Sequence, residues 1–236
     1  MEDARPSRTA MRVAIRRAAH QLLDAPRVLD DPLALRIIGA EAAAKLMASL
    51  DEQHGRVARS IRAFMAVRSR CAEDELARAL GRGATQYVVL GAGLDTFGYR
   101  NPHPPPAVRV FEVDHPATQA WKRAQLAAAG MPVPASVTFA PVDFERQTLA
   151  EGLARAGFDR RAPSFFSWLG VTMYLSGEAI GPTFEFIAST PPGGGLVFDY
   201  MVPRSSLGFM SRLAFDALSR RVAAAGEPFR TFFDPP

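Results

Sequence analysis

Beyond residue 84 the chain alternates short apolar runs with helical stretches, and few architectures accept that pattern. Gln86 to Leu90, Val108 to Val113, Val137 to Pro141, Ser164 to Trp168 and Leu196 to Tyr200 each read as a buried strand of five or six residues. Helical stretches lie between them, clearest at Pro116 to Ala129 and Gly177 to Ser189. A parallel neighbour is reached only through a crossover long enough to hold a helix, so the pattern predicts an α/β fold with a doubly wound, mostly parallel sheet. Ligands of such sheets bind beyond the carboxyl ends of the strands. The 236 residues give room for one such domain and an extension. Residues 1–80 are read as an N-terminal helical lid and 81–236 as the core, with NPHPPP (101–106) and PPGGG (191–195) as loops.

In the extension, Arg8 to Leu23 carries Met11, Ile15, Leu22 and Leu23 at helical spacing, with Ala18 and Ala19 between. Its other face carries arginine and is expected to be solvated. DDPLALRIIG then offers an acidic N-cap, Pro32 in a first turn and a stop at Gly39, and a further short helix is expected from Glu41 to Leu50. Arg56 to Leu80 reads as a longer helix with Val57, Ile61, Phe64, Met65, Cys71, Ala72, Leu76 and Leu80 as its apolar stripe. That stripe runs into Arg68. A guanidinium on a buried face must meet an anion, because leaving it unpaired costs several kcal/mol. The anion is either a protein carboxylate or a ligand carboxylate. Arg70 lies off the stripe and is expected in solvent.

Net charge is +4, yet only Lys45 and Lys122 of the 28 basic residues are lysines, and the arginines are scattered apart from Arg8, Arg12, Arg16 and Arg17. No nucleic-acid footprint is expected from that distribution. A single cysteine, Cys71, allows no internal disulfide and is read as a small packing residue of a protein in a reducing cytoplasm. No apolar stretch approaches the ~20 residues that span a bilayer, and MEDARPSRTA is too polar for a secretory signal. Neither a membrane partner nor an export route is expected.

The first strand leads into YVVLGAGLDTFGYR, residues 87 to 100, where Gly91 and Gly93 let the backbone turn tightly against a ligand. A dinucleotide fingerprint would want a third glycine where Thr96 stands, and Asp95 would repel a pyrophosphate. Both count against an NAD-dependent oxidoreductase. Asp95 is better tolerated beside a cation. Glu112 and Asp114, at the end of the second strand, lie 21 and 23 residues past Gly91, the separation that puts a carboxylate on the ribose hydroxyls of a nucleoside. PVDFE ends the third strand, placing Asp143 for an adenine amine and Phe144 for its ring. A nucleoside with a positive centre and no phosphate is S-adenosylmethionine, and its methionine carboxylate would suit Arg68.

DDPLA, the RSR of 68 to 70, VVLGAGLDTFGYR, FEVDHP, PVDFE, FFSWLGVTMYLS and LVFDY occur in order over nearly the whole chain. Together they resemble the bacterial leucine carboxyl methyltransferase-like family of S-adenosylmethionine-dependent class I O-methyltransferases, whose cores are Rossmann-like. The resemblance implies that Arg68 holds the methionine carboxylate, that Gly91 and Gly93 line the cofactor, that Asp114 binds the ribose and that Asp143 and Phe144 bind the adenine. A glutamate that follows the fourth strand in carboxyl methyltransferases is Leu169 here. No catalytic residue is assigned; Tyr174, just past that strand, either leans on donor or acceptor or packs on the sheet, and His115 stands beside Asp114. His20, His54, His103 and His115 show no metal-ligand spacing, so no metal is expected. The implied activity is methyl transfer to a small-molecule hydroxyl or carboxylate, with a non-catalytic nucleoside-binding member as the alternative. Class I methyltransferases finish with an antiparallel hairpin beside the fifth strand, whereas Ser205 to Ala225 here reads as a helix followed by a short tail. The C-terminal hairpin is expected to be missing, so the core is read as truncated at its C-terminus, with the fifth strand an edge that either impairs solubility, activity or both, or is covered by a second copy.

Overall fold

The computed structural model of the chain describes residues 7–103, 106–224 and 226–234. The first six residues of the polar start, Pro104 and Pro105 of the NPHPPP loop, Ala225 at the expected end of the last helix, and Pro235 and Pro236 lie outside the described residues. Helices α1 (Arg8–Leu23), α2 (Ala34–Ile37), α3 (Ala40–Ala48) and α4 (Arg56–Gly81) precede strand β1 (Gln86–Leu90). There follow α5 (Phe97–Arg100), β2 (Arg109–Asp114), α6 (Pro116–Ala128), β3 (Val137–Pro141), α7 (Leu149–Arg155), β4 (Ser164–Trp168), α8 (Gly177–Ala188), β5 (Gly195–Phe198) and α9 (Phe209–Ala223). One sheet takes all five strands in the order β3-β2-β1-β4-β5, every pair parallel. The winding reverses between β1 and β4, and a crevice opens at their carboxyl ends.

Both faces of the sheet are buried at its centre, which is why β1, β2 and β4 are mostly apolar rather than alternating, with Gln86, Glu112, Ser164 and Ser167 as their buried polar residues. Val88, Leu90, Phe111, Val113, Phe166 and Trp168 point to a core closed by Leu149 and Leu153 of α7 and Ile180 and Phe186 of α8. Tyr87, Val89, Val110 and Phe165 point the other way, against Leu76 and Ala79 of α4 and Phe97. A third core joins α1, α2 and α3 to α6 through Ala14, Ala18, Ile37, Leu46 and Leu126. Side chains begin most of the longer helices: Ser7 accepts from the Ala10 N–H, Ser176 from that of Ala179, and Thr148 with Glu151 forms a reciprocal capping box.

The helices of the extension differ from the sequence reading. On α4 the buried positions are Arg62, Ala66, Ser69, Ala72, Leu76 and Ala79, whereas Val57, Phe64 and Cys71 are exposed, so Cys71 is not a packing residue. The first half of α4 lies against α1 rather than on the sheet, and small residues permit that approach while bulky ones are left outside. Arg62 occupies this helix face because both oxygens of Asp24 accept from it at 2.7 Å. Arg17 on α1, expected in solvent, is 4% exposed. The acid read as the N-cap of the DDP segment, Asp31, accepts from the Leu33 N–H at 3.3 Å through Oδ1 and turns Oδ2 inward to Arg17. Arg70 is exposed as expected and pairs with Asp74 one turn on. Among the described residues no antiparallel strand flanks β5, which ends the sheet.

Candidate functional site

The carboxyl ends of β1 to β4 converge on a cleft of about 380 Å³, a size suited to a small organic ligand. Arg68, Gly91, Gly93, Asp114, Asp143, Phe144 and Tyr174 all line this one cleft, as do His115 and Leu169. Its outer walls are α1, through Thr9, Ala10 and Val13, and a C-terminal stretch through Glu227, Pro228 and Arg230.

Gly91 and Gly93 turn the chain off β1 with φ of 66° and 47°, a region that side chains with a Cβ enter at a cost. A Cβ on Gly91 would lie 2.2 Å from Val171 Cγ2, so the β4 loop fits against bare backbone there. At Gly93 the nearest atom would be Ala10 Cβ of α1, 3.0 Å away. The Gly93 N–H donates to Asp114 Oδ2 at 2.6 Å and the His115 N–H to Oδ1 at 2.7 Å. Burial raises the Asp114 carboxyl above its ordinary value, and those two N–H donors pull the other way. Each Asp114 oxygen still has acceptor capacity for a ligand hydroxyl.

Glu112, the other strand-end candidate, is consumed by the fold. It is 1% exposed and stands 2.6 Å from the buried ammonium of Lys122, with the Tyr99 hydroxyl donating to it. Side chains two apart on a strand share a face, and the deeper one lies under α6 while the shallower one reaches the cleft.

The acid in the glycine turn does have its cation. Arg17 Nη1 stands 2.9 Å from Asp95 Oδ2, and Arg17 Nη2 donates to Asp31 at 2.5 Å and to the Thr96 hydroxyl at 2.6 Å. Arg100 closes the cluster by donating to Thr96 and pairing with Glu73. Burial would push the Asp95 carboxyl up, but Arg17, Lys122 and Arg100 together hold it below its ordinary value. Thr96 therefore occupies the third glycine position as a ligand of two guanidinium groups. Sequence reading missed this cluster, although the spacing Ala14, Arg17, Ala18, Gln21 places Arg17 on the buried face of α1.

Arg68 meets a protein carboxylate. Its Nη1 donates to Asp199 Oδ2 at 2.6 Å, and Asp199 Oδ1 accepts from the Gly170 N–H at 2.5 Å. The pair is mostly buried, with side chains 10% and 14% exposed, and Arg68 still lines the cleft. Asp199 follows β5 as Asp114 ends β2; the strand-end acid of LVFDY was the signal for it. Asp143 lies 3.8 Å from His115 Nε2, and Phe144 packs on Trp168 with ring centroids 6.0 Å apart. Tyr174 is both in the cleft and packed on Phe229, and burial raises its phenol above the ordinary value while Thr9 opposes that.

Residues 10–188 match the family model described as leucine carboxyl methyltransferase. The chain belongs to this family. A Bacillus subtilis (strain 168) protein named "Putative S-adenosyl-L-methionine-dependent methyltransferase YktD" is 38% identical over 164 residues, covering 68% of this chain and 53% of that protein. A Mycobacteroides abscessus protein named "Putative S-adenosyl-L-methionine-dependent methyltransferase" is 30% identical over 235 residues, 93% of this chain and 73% of its own. The chain thus spans little more than half the length of the first of these leucine carboxyl methyltransferase relatives. Among solved structures, a "putative methyltransferase" of Thermobifida fusca YX superposes with a TM-score of 0.50 at 18% identity, covering 84% of this chain and 75% of that one, a likeness of fold. Among the described residues no cluster of His, Cys, Asp and Glu could hold a metal ion, and no helix is long and apolar enough to cross a membrane.

Proposed function

We propose that the cleft binds S-adenosylmethionine and that the protein transfers its methyl group to an oxygen, hydroxyl or carboxylate, of a small molecule in the cytoplasm. The observation that carries this reading is Asp114, a half-buried strand-end carboxylate fixed by the N–H groups of Gly93 and His115 and opening onto a cleft that Arg68, Asp143 and Phe144 share. Those residues fit the nucleoside without phosphate: an acceptor for ribose hydroxyls, an acceptor and a ring for adenine, a cation for the amino-acid carboxylate, and bare backbone between them. The bound cofactor supplies a methyl group already activated by its sulfonium.

The chain's own tasks are then alignment and exclusion of water. Asp114 orients the ribose. Arg68, with Asp199 fixing its guanidinium, orients the methionine end. Thr9, Ala10 and Val13 of α1 cover the donor as part of a lid formed by residues 1–80, while residues 81–236 supply the core. Tyr174 faces the same space, and its raised phenol keeps its proton and serves as a hydrogen-bond donor, not as a base.

Isothermal titration with S-adenosylhomocysteine and with NAD tests the reading. Micromolar binding of the first and none of the second is expected, and the reverse overturns it. Intact-mass screening of a metabolite library with labelled donor would identify the acceptor. We also propose that a second copy pairs along β5, and that neither a membrane nor a nucleic acid is a partner.

A further inference from the structure

The segment after α9 does not leave the domain; it returns across the mouth of the cleft. Starting where the Glu227 N–H donates to Val222 O at the end of α9, it passes residue by residue over the loop that follows β4. The Arg230 N–H donates to Met173 O at 2.8 Å, the Thr231 hydroxyl to Leu175 O at 2.6 Å, and the Phe233 N–H to Met201 O at 2.9 Å. Phe229 packs on Tyr174, and Arg230 lies 3.5 Å from Glu145 of the β3 loop. Only one side chain of this segment reaches the opposite wall among the described contacts. Glu227 Oε2 accepts from both the N–H of Thr9, at 3.1 Å, and its hydroxyl, in the first turn of α1.

We propose that residues 227–233 are a strap that seats α1 over the cleft, with the Glu227 to Thr9 contact as its latch. The Thr9 N–H is one of the donors that the start of a helix leaves without a partner inside the helix, so a carboxylate is its preferred acceptor. The Ser7 side chain already serves the Ala10 N–H, which leaves Thr9 for Glu227. The next residue, Ala10, lies against the glycine turn at Gly93, and about two turns further along Arg17 is ion-paired to Asp95. The inner part of α1 is held by a buried cluster and its outer end by two polar contacts, the Glu227 carboxylate on Thr9 and the Ser7 N–H donating to the Thr118 hydroxyl of α6 at 3.4 Å. That unequal attachment makes the first turn the part that opens. A ligand seated against Gly91 and Gly93 must pass beneath this turn, so the latch sets how fast it enters and leaves.

The ligand part rests on the S-adenosylmethionine reading above; the attachment itself does not. Hydrogen exchange by mass spectrometry on the full chain separates the two. Glu227→Gln and Thr9→Val should each speed exchange in peptides covering residues 8–16 by about tenfold, because a charge-assisted contact no longer opposes opening. Peptides covering 116–128 in α6 should stay at the wild-type rate, which shows that the variants are folded. Thr9→Ser keeps both donors and should exchange as the wild type does. Unchanged exchange over 8–16 in folded Glu227→Gln, or loss of protection in Thr9→Ser equal to that in Thr9→Val, overturns the latch. Stopped-flow release of S-adenosylhomocysteine should be several-fold faster in Glu227→Gln. Equal release rates overturn the gating role. A wild-type protein that does not bind S-adenosylhomocysteine sinks the cofactor reading and the gating built on it, and leaves the attachment to be decided by exchange.

Discussion

Asp114 and Arg68 test the cleft from two sides. Asp114→Ala removes the acceptor proposed for ribose and should weaken S-adenosylhomocysteine by about 1 to 3 kcal/mol in a titration. Arg68→Ala should weaken it similarly and also strand Asp199, whereas Arg70→Ala, on the exposed side of α4, should leave affinity unchanged. Normal affinity in folded Arg68→Ala would make the arginine purely structural. Away from the cleft, Asp24 reports on how α1 is fastened to α4. The hydrogen bonds of Arg62 hold its carboxyl down at about 2 from an ordinary 3.8. A carboxyl with a lowered folded value stabilises the fold above its unfolded value and loses that contribution as pH falls through the folded one. The contribution, about 1 to 2 kcal/mol allowing for solvent at a partly exposed group, should be intact at pH 5 and fade between about 4 and 2. Denaturant curves of wild type and Asp24→Asn should therefore differ at pH 5 and converge at pH 2. Parallel curves with a constant gap would assign the stability to something other than this titration.

The glycine turn and α1 act as one element. Gly91→Ala places a methyl 2.2 Å from Val171 and forces a left-handed backbone on alanine, so it should lower stability and close the cleft's base together. Circular dichroism melting and titration on the same sample would show both losses; a variant with wild-type melting and affinity would mean that the β4 loop yields. Arg17→Met takes the guanidinium from buried Asp31, which keeps Arg100 at 3.4 Å, and from Asp95 at the cleft, and should lower the denaturation midpoint measurably. How far these elements were legible follows from what each packs against. β1, β3 and β4 match their sequence runs residue for residue; β1 and β4 are buried along their whole length and so carry mostly apolar side chains, while β3 is buried at Val137 and Ala140. β2 ends one residue later than its run, and that one residue is Asp114. The cleft's base was legible as glycines and strand-end acids. The α4 face was not: a helix lying on another helix buries alanines and paired arginines, which hydropathy reads as surface. Glu227 was illegible for another reason. Its position depends on where a segment lands after α9, and no local pattern encodes that.

At the scale of the molecule, β5 has a strand neighbour only on the β4 side among the described residues. Phe233, Phe184 and Tyr200 gather around Phe198, so its side chains are packed while its outer backbone carries no strand. Backbone groups in that state pair with a second strand or with water, and an edge beside exposed apolar side chains favours the strand. Phe209 and Met210 at the start of α9 are 75% and 74% exposed and offer apolar area that a second copy would also cover. If the proposed pairing holds, light scattering behind size exclusion should show mass rising with protein concentration. Phe209→Ser with Met210→Ser should shift that curve to higher concentration while leaving the melting temperature in place, since neither side chain is buried. Exchange of the amides of residues 196–198 should slow as the larger species forms. A monomer at every concentration, with those amides exchanging freely, would show that water satisfies the β5 edge.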